Sequence, residues 1–119
     1  MWIASEDGFV SVNASLTGDE ETRHCKARRA EHLEAAFPDY VDDIVDKAET
    51  DPTGTWDYQF HLDVATSDVV DWITNRVEAV EYTSNTKGNI ARRWPELSHA
   101  MMDIWSSMYE VQEAPGRFA

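Results

Sequence analysis

Apolar and polar residues alternate most regularly between positions 56 and 64. The apolar members of this run are Trp56, Tyr58, Phe60, Leu62 and Val64, and every residue between them is polar or charged. Successive side chains of a strand point to opposite faces of the sheet. The pattern therefore predicts a strand with one buried face and one solvated, acidic face.

The first forty residues predict strands and then a short helix. Asp7-Gly8 lies between two short extended runs and favours a tight turn. The polar residues 16–22 predict a hairpin loop, and residues 23–28 predict the returning strand. A short helix over residues 30–37 is expected to end at Pro38, because proline cannot continue a helix.

Residues 40–48 fit both the helical and the strand period. The turn sequence that follows, Asp51-Pro52-Thr53-Gly54, favours a strand here, paired in a hairpin with the alternating run. The fold would then place the aspartates of residues 42–46 beside those of the alternating strand.

Two helices are predicted after the alternating run. Thr66 or Ser67 caps the first, whose inner stripe at helical spacing is Val69, Ile73, Val77 and Val80. A loop containing Asn85 and Gly88 follows. The second helix has Pro95 in its first turn, runs to about Gln112, and carries the stripe Trp94, Leu97, Met101, Ile104, Met108 and Val111.

This order of elements predicts an α+β fold, with an antiparallel sheet of about four strands and two to three helices packed on one face. The length of 119 residues fits one compact domain over residues 1–113, with a frayed tail over residues 114–119. A hydrophobic content of 42% with five Trp excludes a disordered acidic chain.

Negative charge is concentrated in the middle of the chain. The net charge is −13, and residues 30–81 carry fourteen acidic residues against two bases, Lys47 and Arg76, while the segments on either side are close to neutral. Such a surface repels nucleic acid and anionic membranes and attracts a basic protein. The residues predicted to bind that partner are Asp42, Asp43, Asp46, Asp57, Asp63, Asp71 and Glu78.

No set of residues predicts catalysis or a bound metal, so we expect a protein that is not an enzyme and carries no cofactor. The four histidines lack the three or four convergent ligands of a zinc site, and the aspartates of residues 39–46 lack the glycine and the glutamate of a calcium loop. The lone Cys25 has no partner for an internal disulfide, which favours a reducing compartment. Without a signal or membrane-spanning segment, a cytoplasmic protein is expected.

Two features leave alternatives open. Basic groups at residues 26–29 and at residues 92–93 are candidate binding sites for single-stranded nucleic acid. They are better explained as neutralising the acidic surface. The stripe of the last helix fits core packing or a dimer seam, so a monomer or weak homodimer is expected.

Both ends of the chain carry recognisable motifs. They are Met1-Trp2-Ile3-Ala4-Ser5 with Gly8-Phe9 and Ser11, then Tyr82-Thr83-x-Asn85-x-Lys87, and finally His99-x-Met101-x-x-Ile104-Trp105-x-x-Met108-Tyr109-x-x-Gln112. With these motifs the chain resembles a family of small uncharacterised proteins from actinobacteria and their phages. The resemblance implies a cytoplasmic, phage-related protein and carries no assigned activity.

The middle of the chain departs from that family pattern, because residues 39–51 add an aspartate-rich segment ahead of the Asp57-Tyr58-Gln59-Phe60 strand. The shared ends suggest an alternative function, a small-ligand or catalytic pocket. Its residues would be Trp2, Tyr82, Asn85, Lys87, His99 and Tyr109. The leading prediction remains an acidic, non-enzymatic interaction protein that binds a basic, nucleic-acid-handling partner by charge complementarity or nucleic-acid mimicry.

Overall fold

A computed structural model describes residues 1–80 and 86–112, without the side chains of residues 86 and 87. The chain divides into two compact units, Met1–Tyr82 and Thr83–Ala119. The single domain expected over residues 1–113 stays a prediction, and the expected frayed tail over residues 114–119 lies outside the described residues.

The first unit is built on a five-stranded sheet with the order β1-β2-β3-β5-β4, in which every neighbouring pair is antiparallel. The strands are β1 (Trp2–Ser5), β2 (Gly8–Ala14), β3 (Thr22–Ala27), β4 (Val45–Asp46) and β5 (Phe60–Ala65). The predicted α+β class is confirmed, with five strands where about four were expected.

Helices connect the last three strands of this sheet, and one more helix follows the last strand. They are α1 (Ala30–Ala36), a 3₁₀ helix (Pro38–Asp43), α2 (Lys47–Thr50) and α3 (Thr66–Glu78). The Phe37 N–H closes α1 on the Leu33 carbonyl over 2.8 Å, immediately before Pro38. The predicted end of α1 is therefore confirmed.

The hydrophobic core lies on one face of the sheet, under α1 and α3. It contains Val10 and Val12 of β2, Cys25 and Ala27 of β3, Leu62 and Val64 of β5, Leu33, Ala36 and Phe37 at α1, and Val69 and Trp72 of α3. Because strand side chains alternate between faces, the intervening residues of β3 and β5 lie on the opposite face of the sheet. That outer face carries His24, Lys26, His61 and Asp63.

The tight turn between β1 and β2 requires glycine at position 8. Gly8 has φ +111°, a conformation that residues with a side chain rarely adopt, and an added Cβ would lie 2.4 Å from the His32 ring. The His32 ring is buried here because its Nδ1 accepts the Phe9 N–H over 3.3 Å. The turn predicted at Asp7-Gly8 is confirmed.

The strand expected over residues 40–48 is wrong except at Val45 and Asp46, which pair with β5. A 3₁₀ helix precedes these two residues, and α2 follows them because the Asp46 carboxylate accepts the Ala48 N–H over 2.9 Å and caps that helix. The alternating run also forms less strand than predicted, since β5 begins only at Phe60.

The inner stripe expected for α3 is corrected in two places. Val69 and Trp72 are buried, but Val77 is 67% exposed in the last turn of α3, and Val80, which is 72% exposed, lies beyond the end of the helix at Glu78. No side chain caps the helix. Instead, the Thr66 hydroxyl donates to the Glu20 carbonyl over 2.9 Å, which fastens the start of α3 to the β2–β3 loop.

The second unit contains α4 (Thr86–Arg93), α5 (Pro95–Ser107) and a 3₁₀ turn (Met108–Val111). Gly88 lies within α4, so the loop prediction is wrong at this residue, while Asn85 lies outside the described residues. The start of α5 at Pro95 is confirmed. The expected stripe is half-buried at Trp94, Leu97 and Met101 and exposed at Ile104, Met108 and Val111. Across the described residues, no helix has the length and apolar character needed to cross a bilayer.

Candidate functional site

The acidic 3₁₀ helix and the acidic helix α3 are joined by one side chain. The Tyr40 hydroxyl donates to the Asp68 carboxylate and accepts the Ala65 N–H over 3.2 Å. The bond to Asp68 raises the pKa of Tyr40, since the phenol proton is shared with a carboxylate. Two acidic segments that are 28 residues apart in sequence therefore meet at the surface of the first unit.

A cleft of about 370 Å³ marks this junction. Its charged lining consists of four carboxylates and one cation: Asp7, Asp39, Asp68, Asp71 and Arg76. The Arg76 Nε lies 3.4 Å from the buried Asp7 carboxylate, so the cation serves an internal acid. The other three carboxylates, those of Asp39, Asp68 and Asp71, are exposed to solvent.

We define the acidic surface as the exposed carboxylates of the 3₁₀ helix and α3. Its members are Asp39, Asp42, Asp43, Asp68, Asp71 and Glu78. Residues three apart on a helix, such as Asp68 and Asp71, are neighbours on its surface. Four of the seven residues predicted to bind a partner belong to this surface.

The other three predicted residues lie elsewhere. Asp57 is exposed in the loop before β5, and Asp63 is exposed on the outer face of the sheet, opposite to the face that α3 covers. Asp46 has a structural role, because it also accepts a hydrogen bond from the Gln59 amide over 3.0 Å. The expected row of acids along one hairpin is therefore wrong, because residues 40–44 form no strand.

The outer face of the sheet carries a chain of hydrogen bonds between side chains of β3 and β5. His24 Nδ1 lies 2.8 Å from Asp63 Oδ1, and His24 Nε2 lies 2.8 Å from His61 Nδ1. His61 Nε2 lies 2.9 Å from the Tyr58 carbonyl oxygen, which can only accept. The His61 Nε2 therefore carries a proton.

The two ends of this chain are hydrogen-bond acceptors. The Tyr58 carbonyl oxygen accepts the His61 Nε2–H, and the Asp63 carboxylate can accept an N–H from His24. Burial lowers the pKa of His61, and nearby His24, Lys47 and Lys26 act in the same direction, whereas the bond to the Tyr58 carbonyl acts in the opposite direction.

This arrangement is unsuited to a metal ion, because the ring nitrogens of the two histidines face each other at hydrogen-bond distance. Among the residues that the structure describes, no group of three or more His, Cys, Asp or Glu side chains could hold one. Cys25 lies buried on the core side of β3, where burial and then Asp63 raise the pKa of its thiol to about 12.

The residues suggested as a ligand pocket are distributed over both units. Trp2 is 73% exposed on β1, and its ring lies 6.1 Å from that of Phe9. On α5, the exposed His99 Nε2 lies 3.6 Å from Asp103, and further along the chain Tyr109 packs edge-on against Trp105. Tyr82, Asn85 and the Lys87 side chain lie outside the described residues.

The alternating run predicts that His61 and Asp63 share a strand face, but the sequence does not indicate that His24 lies between them. The contact follows from the strand register, which sets His24 opposite Asp63 and Lys26 opposite His61. The sequence shows a basic group at residues 26–29 but does not indicate that the Arg28 guanidinium carbon lies 4.2 Å from the centre of the Tyr58 ring. The pairing of β3 with β5 reveals the histidine contact.

No family model, curated protein or solved structure significantly matches the chain. The resemblance of its two ends to the actinobacterial and phage family therefore stays an expectation.

Proposed function

We propose that the protein is a non-enzymatic interaction protein of the cytoplasm, which uses the acidic surface to bind a basic, nucleic-acid-handling protein. The observation that carries the proposal is the junction at Tyr40, where a single hydroxyl holds the acidic 3₁₀ helix against the acidic helix α3. A phage origin, implied by the two end motifs, would make the partner a protein of the host.

The charge balance around the acidic surface supports this proposal. Residues 30–81 contain only two bases, and neither neutralises the acidic surface. Arg76 is paired with the buried Asp7, and Lys47 lines a cleft with His61, whose side chain belongs to the outer face of the sheet. Charges of one sign that stay uncompensated on one surface steer an oppositely charged partner and accelerate its association.

Competition with nucleic acid is the mechanism that this surface favours. A protein that grips phosphates does so with clustered Lys and Arg side chains. The acidic surface presents the carboxylates of the 3₁₀ helix and α3 to the same Lys and Arg side chains. Occupying the basic site of the partner would exclude its nucleic acid without any chemical step.

The experiment is an affinity capture from host lysate at low and high salt, with mass spectrometry of the retained proteins. Three forms are compared: the natural protein, a surface variant (Asp42→Lys, Asp71→Lys, Glu78→Lys) and a matched variant (Glu20→Lys, Glu21→Lys, Glu49→Lys). Both variants change the net charge equally, at exposed positions. Only the position of the reversed charges differs between them.

We expect a basic, nucleic-acid-binding protein that is retained at low salt, released at high salt and lost only with the surface variant. Titration of that purified partner should show a salt dependence that the surface variant flattens. Equal retention by the surface and matched variants, or no retained protein at all, would refute the proposal.

A further inference from the structure

The outer face of the sheet holds a second cleft, whose lining contains two lysines together with two aspartates. Its volume is about 450 Å³, within the range of small-molecule sites. We call it the basic cleft, and it is lined by Lys26, Lys47, Asp51, Thr55, Trp56, Asp57, Tyr58 and His61.

Several contacts hold the wall of the basic cleft in place. Tyr58 is buried beneath two cations, with the Arg28 guanidinium carbon 4.2 Å and the Lys26 Nζ 5.4 Å from its ring centre. Its carbonyl accepts the His61 N–H, which ties the loop to β5. At the other end of the loop, the Trp56 indole donates to the Asp51 carbonyl over 3.3 Å.

Neither lysine of the basic cleft is paired with a carboxylate in the part of the chain that the structure describes. Over residues 1–80 and 86–112, no carboxylate lies within ion-pair distance of the Lys26 or Lys47 ammonium group. Both ammonium groups contribute to lowering the pKa of His61, so their positive field reaches that ring. In a chain with net charge −13, two lysines that line one cleft and form no ion pair with the described residues favour an anion from outside the protein.

The remaining lining specifies more than an anion. Trp56 is 38% exposed and offers an aromatic surface for stacking. Asp51 and Asp57 offer carboxylates, which accept hydrogen bonds from N–H or O–H groups. A ligand that contacts the lysines, the indole ring and the carboxylates would combine an anionic group, a planar ring, and hydroxyl or amino groups that donate hydrogen bonds.

We infer that the basic cleft binds a nucleoside monophosphate. The phosphate would lie between Lys26 and Lys47, the base against Trp56, and the sugar hydroxyls or base amino groups toward Asp51 and Asp57. This site shares no residue with the acidic surface, so the inference stands or falls separately from the proposed function.

The test is isothermal titration of the whole protein with the 5′-monophosphates of adenosine, guanosine, cytidine and uridine. Adenosine and inorganic phosphate serve as the two partial ligands. We expect at least one monophosphate to bind at least about tenfold more tightly than adenosine or inorganic phosphate, since each of these two partial ligands lacks one set of contacts. No binding of any monophosphate at millimolar concentration would overturn the inference, as would inorganic phosphate that binds as tightly.

Variants separate specific recognition from general charge. The pair Lys26→Gln and Lys47→Gln should weaken monophosphate binding about tenfold or more, because two charge-assisted contacts are lost. The matched pair Arg92→Gln and Arg93→Gln, at exposed positions of α4, removes the same charge and should leave binding unchanged. Equal weakening by both pairs would contradict the site.

Trp56→Leu provides an independent readout that leaves the charge unchanged. The substitution should weaken the binding of the monophosphate and leave the weak binding of inorganic phosphate unchanged, because only the ring contact is removed. Amide NMR spectra confirm the fold of each variant, and the ligand-induced shifts should centre on residues 56–61. Shifts confined to other parts of the chain would contradict the proposed position.

Discussion

The indole N–H of Trp72 donates to the carboxylate of Asp7 over 2.8 Å, and both side chains are buried. The bond joins the turn between β1 and β2 to the middle of α3. Arg76, one turn further along α3, adds its charge to the same carboxylate. Because a buried carboxylate needs both donors and a nearby cation, this contact sets which face of α3 packs on the sheet.

Asp7→Ala should therefore destabilise the first unit. The change leaves the buried Trp72 N–H without its acceptor, and an unsatisfied buried donor costs about 1–3 kcal/mol in free energy of unfolding. Urea unfolding monitored by circular dichroism measures the loss. The control Asp71→Ala, at an exposed position, should change stability by less than about 0.5 kcal/mol. Similar midpoints for both variants would show that the contact is unimportant.

Two glycines with positive φ allow the stability cost of backbone strain to be separated from the cost of a steric collision. Gly8→Ala forces a Cβ against the His32 ring at a φ of +111°, whereas Gly18→Ala, at φ +80°, meets no atom within 4 Å. Both substitutions should cost about 1 kcal/mol or more from backbone strain, and Gly8→Ala should cost clearly more because of the collision. Thermal unfolding of the two variants is the measurement. Equal losses would mean that the His32 ring moves aside freely.

Stability should fall as the pH drops below about 6.5, the ordinary pKa of histidine. The pKa of His61 is lowered in the folded protein, so in this range the unfolded chain binds a proton that the folded chain does not. Stability accordingly rises with pH up to about 6.5, with a contribution of at most about 1.4 kcal/mol per pH unit.

Urea unfolding at several pH values between 5 and 8 measures this slope. His61→Gln should flatten it, whereas His99→Gln, which removes a histidine that is 90% exposed, should leave it unchanged. An unaltered slope in His61→Gln would assign the pH dependence to other groups.

Cys25 should resist alkylation while the protein is folded. Its pKa is raised to about 12, mainly by burial, so the thiolate that reacts with iodoacetamide is scarce at pH 8. Mass spectrometry should find the folded protein unlabelled after a time that fully labels the protein in urea. Rapid labelling without denaturant would show that β3 opens readily or that the thiol is exposed.

Local signals were sufficient for much of the first unit. The turn at Asp7-Gly8, the β2–β3 hairpin and the end of α1 depend on residues that are close in sequence. The segment over residues 40–48 was misassigned because its conformation depends on a distant contact, the bond from the Tyr40 hydroxyl to Asp68. Its apolar spacing alone fits helix and strand equally.

The candidate sites, like the fold, could be predicted only where they depend on local sequence. The excess of negative charge in residues 30–81 is visible in the sequence, but its grouping on one surface depends on the junction at Tyr40. The basic cleft was missed because its lysines come from two separate segments. Only the pairing of β3 with β5 sets Lys26 opposite His61, and only α2 and the loop that follows it add Lys47 and Trp56.

The junction at Tyr40 also bears on aggregation. Beside β5, the two-residue β4 covers only Phe60 and His61, and the amide of Ala65 at the far end of β5 is taken by the Tyr40 hydroxyl. An open strand edge is a template on which another chain can add a strand. The acidic 3₁₀ helix thus stands where an incoming strand would bind, and its carboxylates would repel a second acidic copy from that edge.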